Sequence, residues 1–85
     1  MHSETANQLL KILNDPEAPT GPIEIAKEFE LNPRLVETTL RAMYLEQPKI
    51  VLRRDGYGDN GYSYTLNRME PERVKKFIQQ GGFRK

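Results

Sequence analysis

Residues 21–45 read GPIEIAKEFELNPRLVETTLRAMYL. Apolar residues recur at helical spacing twice within this stretch, with a break between. Ile25, Ala26 and Phe29 fall at i, i+1 and i+4, which puts them on one face of a helix from Ile23 to about Glu30. Val36, Leu40 and Met43 follow at +4 and +3, an apolar stripe on a second helix from near Pro33 to near Leu45. The break has its own chemistry. Leu31 fills the joint, Asn32 supplies an N-cap oxygen, and Pro33 carries the φ that suits a first helical position. Two amphipathic helices with so short a joint make a helix-turn-helix.

Upstream, Ser3 or Thr5 is a candidate cap for a helix running to about Asn14, after a frayed start at Met1–Thr5. Leu9, Leu10, Ile12 and Leu13 give that helix an apolar side, with Ala6 one turn earlier. Asn14-Asp15-Pro16 ends it, because the residue before proline avoids the α region. The segment 15–22 holds Pro16, Pro19, Gly21 and Pro22 and reads as a loop, with Thr20 a candidate for a short β-bridge or a cap.

Downstream, Gln47-Pro48 breaks the helical pattern. Residues 49–54, KIVLRR, read as a strand with Ile50 and Leu52 on one side and Val51 and Arg53 on the other. Asp55 to Gly61 is a dense turn signal. Tyr62 to Leu66 is a second strand, with Tyr62, Tyr64 and Leu66 on one face. The hairpin they form is marginal alone and must pack on the helices. Met69 to Gly81 then reads as a last helix, with Pro71 in its first turn and Val74, Phe77 and Ile78 as its apolar stripe. Gly81-Gly82 stop it, and Phe83-Arg84-Lys85 reads as a mobile basic ending.

The 85 residues are enough for one domain with one small core. There is no cysteine, hence no disulfide and no thiolate metal site. No apolar run approaches the ~18 residues of a membrane span, and no leader pattern precedes the first helix. A cytoplasmic, nucleoid-associated protein is the expectation. Net charge is only +1, but it is unevenly spread. Residues 1–48 hold four Lys/Arg against eight Asp/Glu, and residues 49–85 hold nine against four. Folding then has the means to make one positive and one negative face.

The stretch IAKEFELNPRLVETTL, residues 25–40, resembles the helix-turn-helix of bacterial and archaeal winged-helix regulators. Ala26 stands where such proteins need close helix contact, Leu31 matches the hydrophobe of the turn, and Val36 and Leu40 match buried positions of the recognition helix. One position departs from the pattern: the joint usually carries Gly, and here carries Glu30. Either the turn differs or a strained left-handed residue is tolerated. The resemblance implies an α+β winged helix-turn-helix: a three-helix core plus a two-stranded hairpin wing over about residues 5–67, and a C-terminal helix over about 69–81.

Catalysis finds no support in the residues. The one histidine is His2, there is no cysteine nucleophile, and no Ser–His–Asp set has a credible scaffold. Glu24, Glu28 and Glu30 read as a solvated helix face. Asp55, Asp59 and Asn60 lack the downstream bidentate Glu of a calcium loop. No enzyme activity, metal or cofactor is expected.

Nucleic-acid contact is the sharper reading. With Val36, Leu40 and Met43 turned inward, the outward positions are Arg34, Leu35, Glu37, Thr38 and Arg41. Arg can bind guanine O6 and N7 together, Glu can accept from cytosine N4, and Thr can touch the thymine methyl. Asn32 is placed to meet a phosphate beside its capping role. Lys49, Arg53 and Arg54 on the first strand can neutralise phosphates, and the resemblance assigns the wing tip, with Tyr57 and Asn60, to the backbone or minor groove. The expected partner is double-stranded DNA, and the expected role small-scale transcriptional regulation. A protein–protein adaptor and a replication or recombination accessory stay open as alternatives. One contiguous surface of Arg34, Arg41, Arg53 and Arg54 favours DNA; interruption by Glu37 and the acidic helix favours the adaptor. The first and last helices also carry surplus apolar residues. Leu10, Phe77 and Ile78 could build a homodimer, or the last helix could simply cover the core.

Overall fold

The computed structural model describes residues 2–57 and 61–84. Over these the chain forms α1 (Ser3–Asn14), α2 (Pro22–Glu28), α3 (Pro33–Glu46), β1 (Val51–Asp55), β2 (Tyr62–Leu66) and α4 (Pro71–Gln79). The two strands pair antiparallel, so the chain is a small α+β unit whose element order is compatible with a winged-helix layout.

The α2–α3 joint explains why the helices cross where they do. Asn32 Oδ1 accepts from the backbone N–H of Arg34 at 2.9 Å and of Leu35 at 3.2 Å, satisfying two donors at the start of α3. α2 stops at Glu28, earlier than its apolar pattern suggests. Glu30 then adopts φ 54°, and the Leu31 N–H reaches back to the Ala26 carbonyl at 2.8 Å. That long bond is the closure of a Schellman turn, which wants a left-handed residue at the position Glu30 holds. The strained alternative is therefore the one adopted. Phe29 is the correction that follows. Expected on the buried face with Ile25 and Ala26, it lies beyond the last helical residue and is 38% exposed.

The strain gives a simple prediction. Left-handed backbone costs an L-residue roughly 1–2 kcal/mol, and glycine escapes that at some entropic cost. Glu30→Gly is expected to raise stability by about 1 kcal/mol, or about 4–8 °C in Tm for a domain of this size. Glu30→Ala, which removes the charge and keeps the Cβ, is expected to give no such gain. Equal gains in both variants, read by thermal denaturation, would assign the effect to charge instead.

α1 begins at Ser3 with His2 at the N-cap and no side-chain cap bond, so neither Ser3 nor Thr5 caps it. Its face of Ala6, Leu9 and Leu13 joins Ile25, Val36, Leu40 and Met43 in one core. The hairpin closes the core from the other side. Its register pairs Val51 with Leu66, Arg53 with Tyr64 and Asp55 with Tyr62, so these residues share a sheet face. Val51, Tyr64 and Leu66 are buried, which makes the Val51 side the inner one. Ile50 is buried as well, because it precedes the strand and escapes its alternation; Leu52 is half-buried. Thr20, a candidate for a bridge or a cap, accepts one hydrogen bond at its carbonyl from the Tyr64 N–H at 3.2 Å, and the N-cap of α2 is Gly21.

The C-terminal segment differs most from its reading. Residues 83–84 were expected to trail free, but Phe83 is 2% exposed. Asn7 on α1 clasps it twice: Nδ2 donates to the Phe83 carbonyl at 2.9 Å, and Oδ1 accepts from the Phe83 N–H at 2.8 Å. The Phe83 ring meets Phe77 edge-on, with centroids 5.0 Å apart. Gly82 holds φ 67° and lies against Asn7 and Leu10, so a Cβ there would collide with the clasp. Leu10, a candidate for a homodimer surface in one of the two alternatives, is thus 3% exposed within the single chain.

Candidate nucleic-acid interface

α3 divides cleanly. Val36, Thr39, Leu40 and Met43 are buried, and Arg34, Leu35, Glu37, Thr38 and Arg41 are exposed. The division follows from helical spacing, because four inward side chains leave an arc of the helix facing water. Leu35 is 43% exposed, a bare apolar group in the first turn. Thr38 Oγ1 donates to the Arg34 carbonyl at 2.9 Å, with the Leu35 carbonyl at 3.3 Å. Its hydroxyl proton is thereby occupied within the helix, and what remains for a partner is its methyl group and acceptor oxygen. Asn32 spends Oδ1 on the helix start, which leaves its Nδ2 donors outside the cap. Arg34 and Arg41 form no ion pair with a carboxylate among the described residues.

The hairpin stands beside this face through its tyrosines. Tyr44 of α3 and Tyr64 of β2 have ring centroids 6.2 Å apart, and Tyr62 meets Tyr64 edge-on at 5.8 Å. Tyr62, on the same strand face as buried Tyr64 and Leu66, is half-buried, with the Arg53 guanidinium 4.6 Å from its ring centroid. Arg53 also pairs with Asp55 at 3.0 Å, and that bond raises its already high pKa. This exposed pair is screened by salt and orients the guanidinium more than it stabilises the fold.

Burial raises the Tyr64 phenol above its ordinary value of 10.0, partly offset by the positive charge of Arg53. Arg41 also lowers it, while Glu37 raises it. One strand residue and two α3 residues therefore act on the charge of the same phenol. The signs give a second prediction. A raised folded-state value means that the contribution of Tyr64 to stability is fully present below pH 10.0 and is lost as pH rises through the folded value. In an alkaline titration followed by tyrosinate absorbance, one tyrosine equivalent is expected to lag behind the ordinary range and to appear together with unfolding. Tyr64→Phe is expected to lack that late step. An unlagged titration, with stability independent of pH in that range, would contradict it.

The four arginines are not arranged as one plane. Strand alternation places Arg53 on the inner sheet face, beside α3, and Arg54 on the outer one. Arg54 lies over the Tyr57 ring, 4.1 Å from its centroid, and Tyr57 itself is 56% exposed. Arg41 and Arg53 thus share one neighbourhood, with Glu37 in it, while Arg54 and Tyr57 form a second cationic element nearer the tip. Lys49 is exposed in the turn before β1; its carbonyl accepts from Asn67 Nδ2 at 2.9 Å. That buried asparagine also bonds Glu70 and the Met69 N–H, and so fixes the hairpin base to the start of α4. Asn60, expected at the wing tip, lies outside the described residues, as does Asp59.

The stacking of Arg53 on Tyr62 and of Arg54 on Tyr57 was not read from the sequence. Alternation over residues 49–54 shows that Arg53 and Arg54 face opposite ways, but only the strand register shows which tyrosine each one meets. No described helix is long and apolar enough to cross a membrane. Comparison with known protein families, curated proteins and solved structures finds no match to this chain.

Proposed function

We propose that this chain is a winged helix-turn-helix domain that binds duplex DNA and acts as a small transcriptional regulator. α3 enters the major groove with Arg34, Leu35, Glu37, Thr38 and Arg41 toward the base edges. The hairpin lies along the adjacent backbone, where Arg53, Arg54 and Lys49 neutralise phosphates. The observation that carries the reading is the division of α3: Arg34, Glu37, Thr38 and Arg41 are exposed, while the apolar stripe behind them is closed in the core. Arg41 and Arg53, from different elements around Tyr64, supply cationic groups beside that face.

The test is fluorescence anisotropy with a random duplex of about three helical turns, across a salt series. The expected result is micromolar binding that weakens by orders of magnitude between low and moderate salt, because phosphate contacts release counterions. A folded protein with no binding at low salt would overturn the reading. The second reading would then be the protein–protein adaptor. It is favoured by the division of the arginines, with Arg53 and Arg54 on opposite sheet faces and Glu37 beside Arg41, and by α2, where Ile23 is 42% exposed on the same helix as Glu24 and Glu28, with Phe29 at its end.

A further inference from the structure

α4 makes little direct contact with α1, although both border the same end of the core. Between them runs a groove with two depressions of about 310 and 190 Å³ that meet at Asn14 and Ile78. One wall is the α1 stripe Asn7, Leu10, Lys11 and Asn14, at i, i+3, i+4 and i+7. The other is α4, through Val74, Lys75 and Ile78, with Leu66 and Arg68 contributing from the end of β2. Its open apolar surface is that of half-buried Ile78 and the lysine stems, while Leu10, Leu66 and Val74 are almost closed behind them.

The charge of the lining is one-sided. Lys11 rises from one wall, Lys75 from the other, and Arg68 from the far end, and neither depression is lined by an Asp or Glu. Arg68 uses one nitrogen to hold the last carbonyls of α1, Leu13 at 3.0 Å and Asn14 at 3.4 Å, which keeps it in place and leaves other N–H donors of its fork. The opposite end is also cationic, since the Arg84 guanidinium folds back over Gly81. In a chain with 12 acidic residues, a groove whose charged lining groups are all cations, among amides and apolar side chains, favours an anionic occupant.

We propose that this groove binds a small aromatic or short-chain aliphatic carboxylate, its body against Ile78 and the aliphatic stems of Lys11 and Lys75 and its carboxylate between the two ammonium groups. The larger depression sets the size, because about 30 Å³ per water-sized group allows on the order of ten heavy atoms. A pocket at the lower limit for small ligands implies weak binding, with Kd on the order of a millimolar. The site is remote in sequence from the α3 face, but α1 packs on α3, so a ligand joining α1 to α4 acts on an element that supports that face. The inference stands whether or not the chain binds DNA.

Naphthoate and its neutral amide, naphthamide, are suitable probes, titrated into isotope-labelled full-length protein by nuclear magnetic resonance. Amide shifts are expected along both walls of the groove, larger for naphthoate than for naphthamide. Lys11→Gln/Lys75→Gln, two exposed substitutions, is expected to weaken naphthoate about five- to ten-fold and leave naphthamide unchanged. Absence of groove shifts at millimolar naphthoate would overturn the site. Equal response to both probes, or indifference to the double substitution, would overturn the carboxylate assignment.

Discussion

Arg34→Ala/Arg41→Ala is expected to abolish measurable sequence-selective DNA binding while leaving the fold intact. Both side chains are exposed, and neither holds a carboxylate among the described residues, so their removal disturbs no internal bond. Each bidentate arginine–guanine contact discriminates by about 1–3 kcal/mol, so losing two costs on the order of a hundred-fold or more. The salt series separates two modes. If the arginines read bases, the variant keeps weak, salt-sensitive binding through Arg53, Arg54 and Lys49 and loses preference among sequences. If they touch only phosphate, affinity falls uniformly and the salt slope shrinks by about one for each arginine. Unchanged affinity in a folded variant would remove α3 from the interface.

The second large effect is on stability. Leu40 is fully buried at the centre of the α3 stripe, among residues from α1, α2 and the hairpin. Leu40→Ala removes its transfer free energy and leaves a cavity, at a cost of about 2–5 kcal/mol. At roughly 0.05–0.15 kcal/mol per residue, a domain of 85 residues has on the order of 4–13 kcal/mol in all. The variant is therefore expected to be partly unfolded at ordinary temperature or to melt well below wild type, by about 10–30 °C. Leu40→Met, which nearly conserves volume, is expected to lose under about 1.5 kcal/mol. Circular dichroism across a thermal ramp decides it. A Leu40→Ala loss no larger than that of Leu40→Met would mean that the stripe does not organise the core.

The α2–α3 segment was legible because its signals are local. Asn32 announces its cap, Pro33 its first turn, and the spacing of Val36, Leu40 and Met43 declares the inward face. The same periodicity exposed Arg34, Leu35, Glu37, Thr38 and Arg41 as a group. Phe29 was misplaced because apolar spacing does not show where a helix ends; the left-handed Glu30 ends it, and glutamate is a poor advertisement for that conformation. Phe83 was misread for a different reason. Its partner Asn7 lies 76 residues away, and nothing in a glycine pair followed by a basic triplet reveals a distant amide. The burial of Tyr64 followed from alternation. The half-exposure of Tyr62 did not, because it depends on where the hairpin passes the edge of α3.

The Asn7–Phe83 clasp also bears on the order in which the molecule can be made. Contacts so distant along the chain are entropically expensive to close and slow to find. A nascent chain emerging N-terminus first exposes α1 well before Phe83 is made, so the helices can begin to pack without the clasp. Leu10 stays open to water, and to other apolar surfaces, until Phe83 clears the exit and swings back to α1. The clasp is thus the last contact between α1 and the segment after α4 that synthesis allows, and until it closes the helical core carries one apolar seam open to its surroundings.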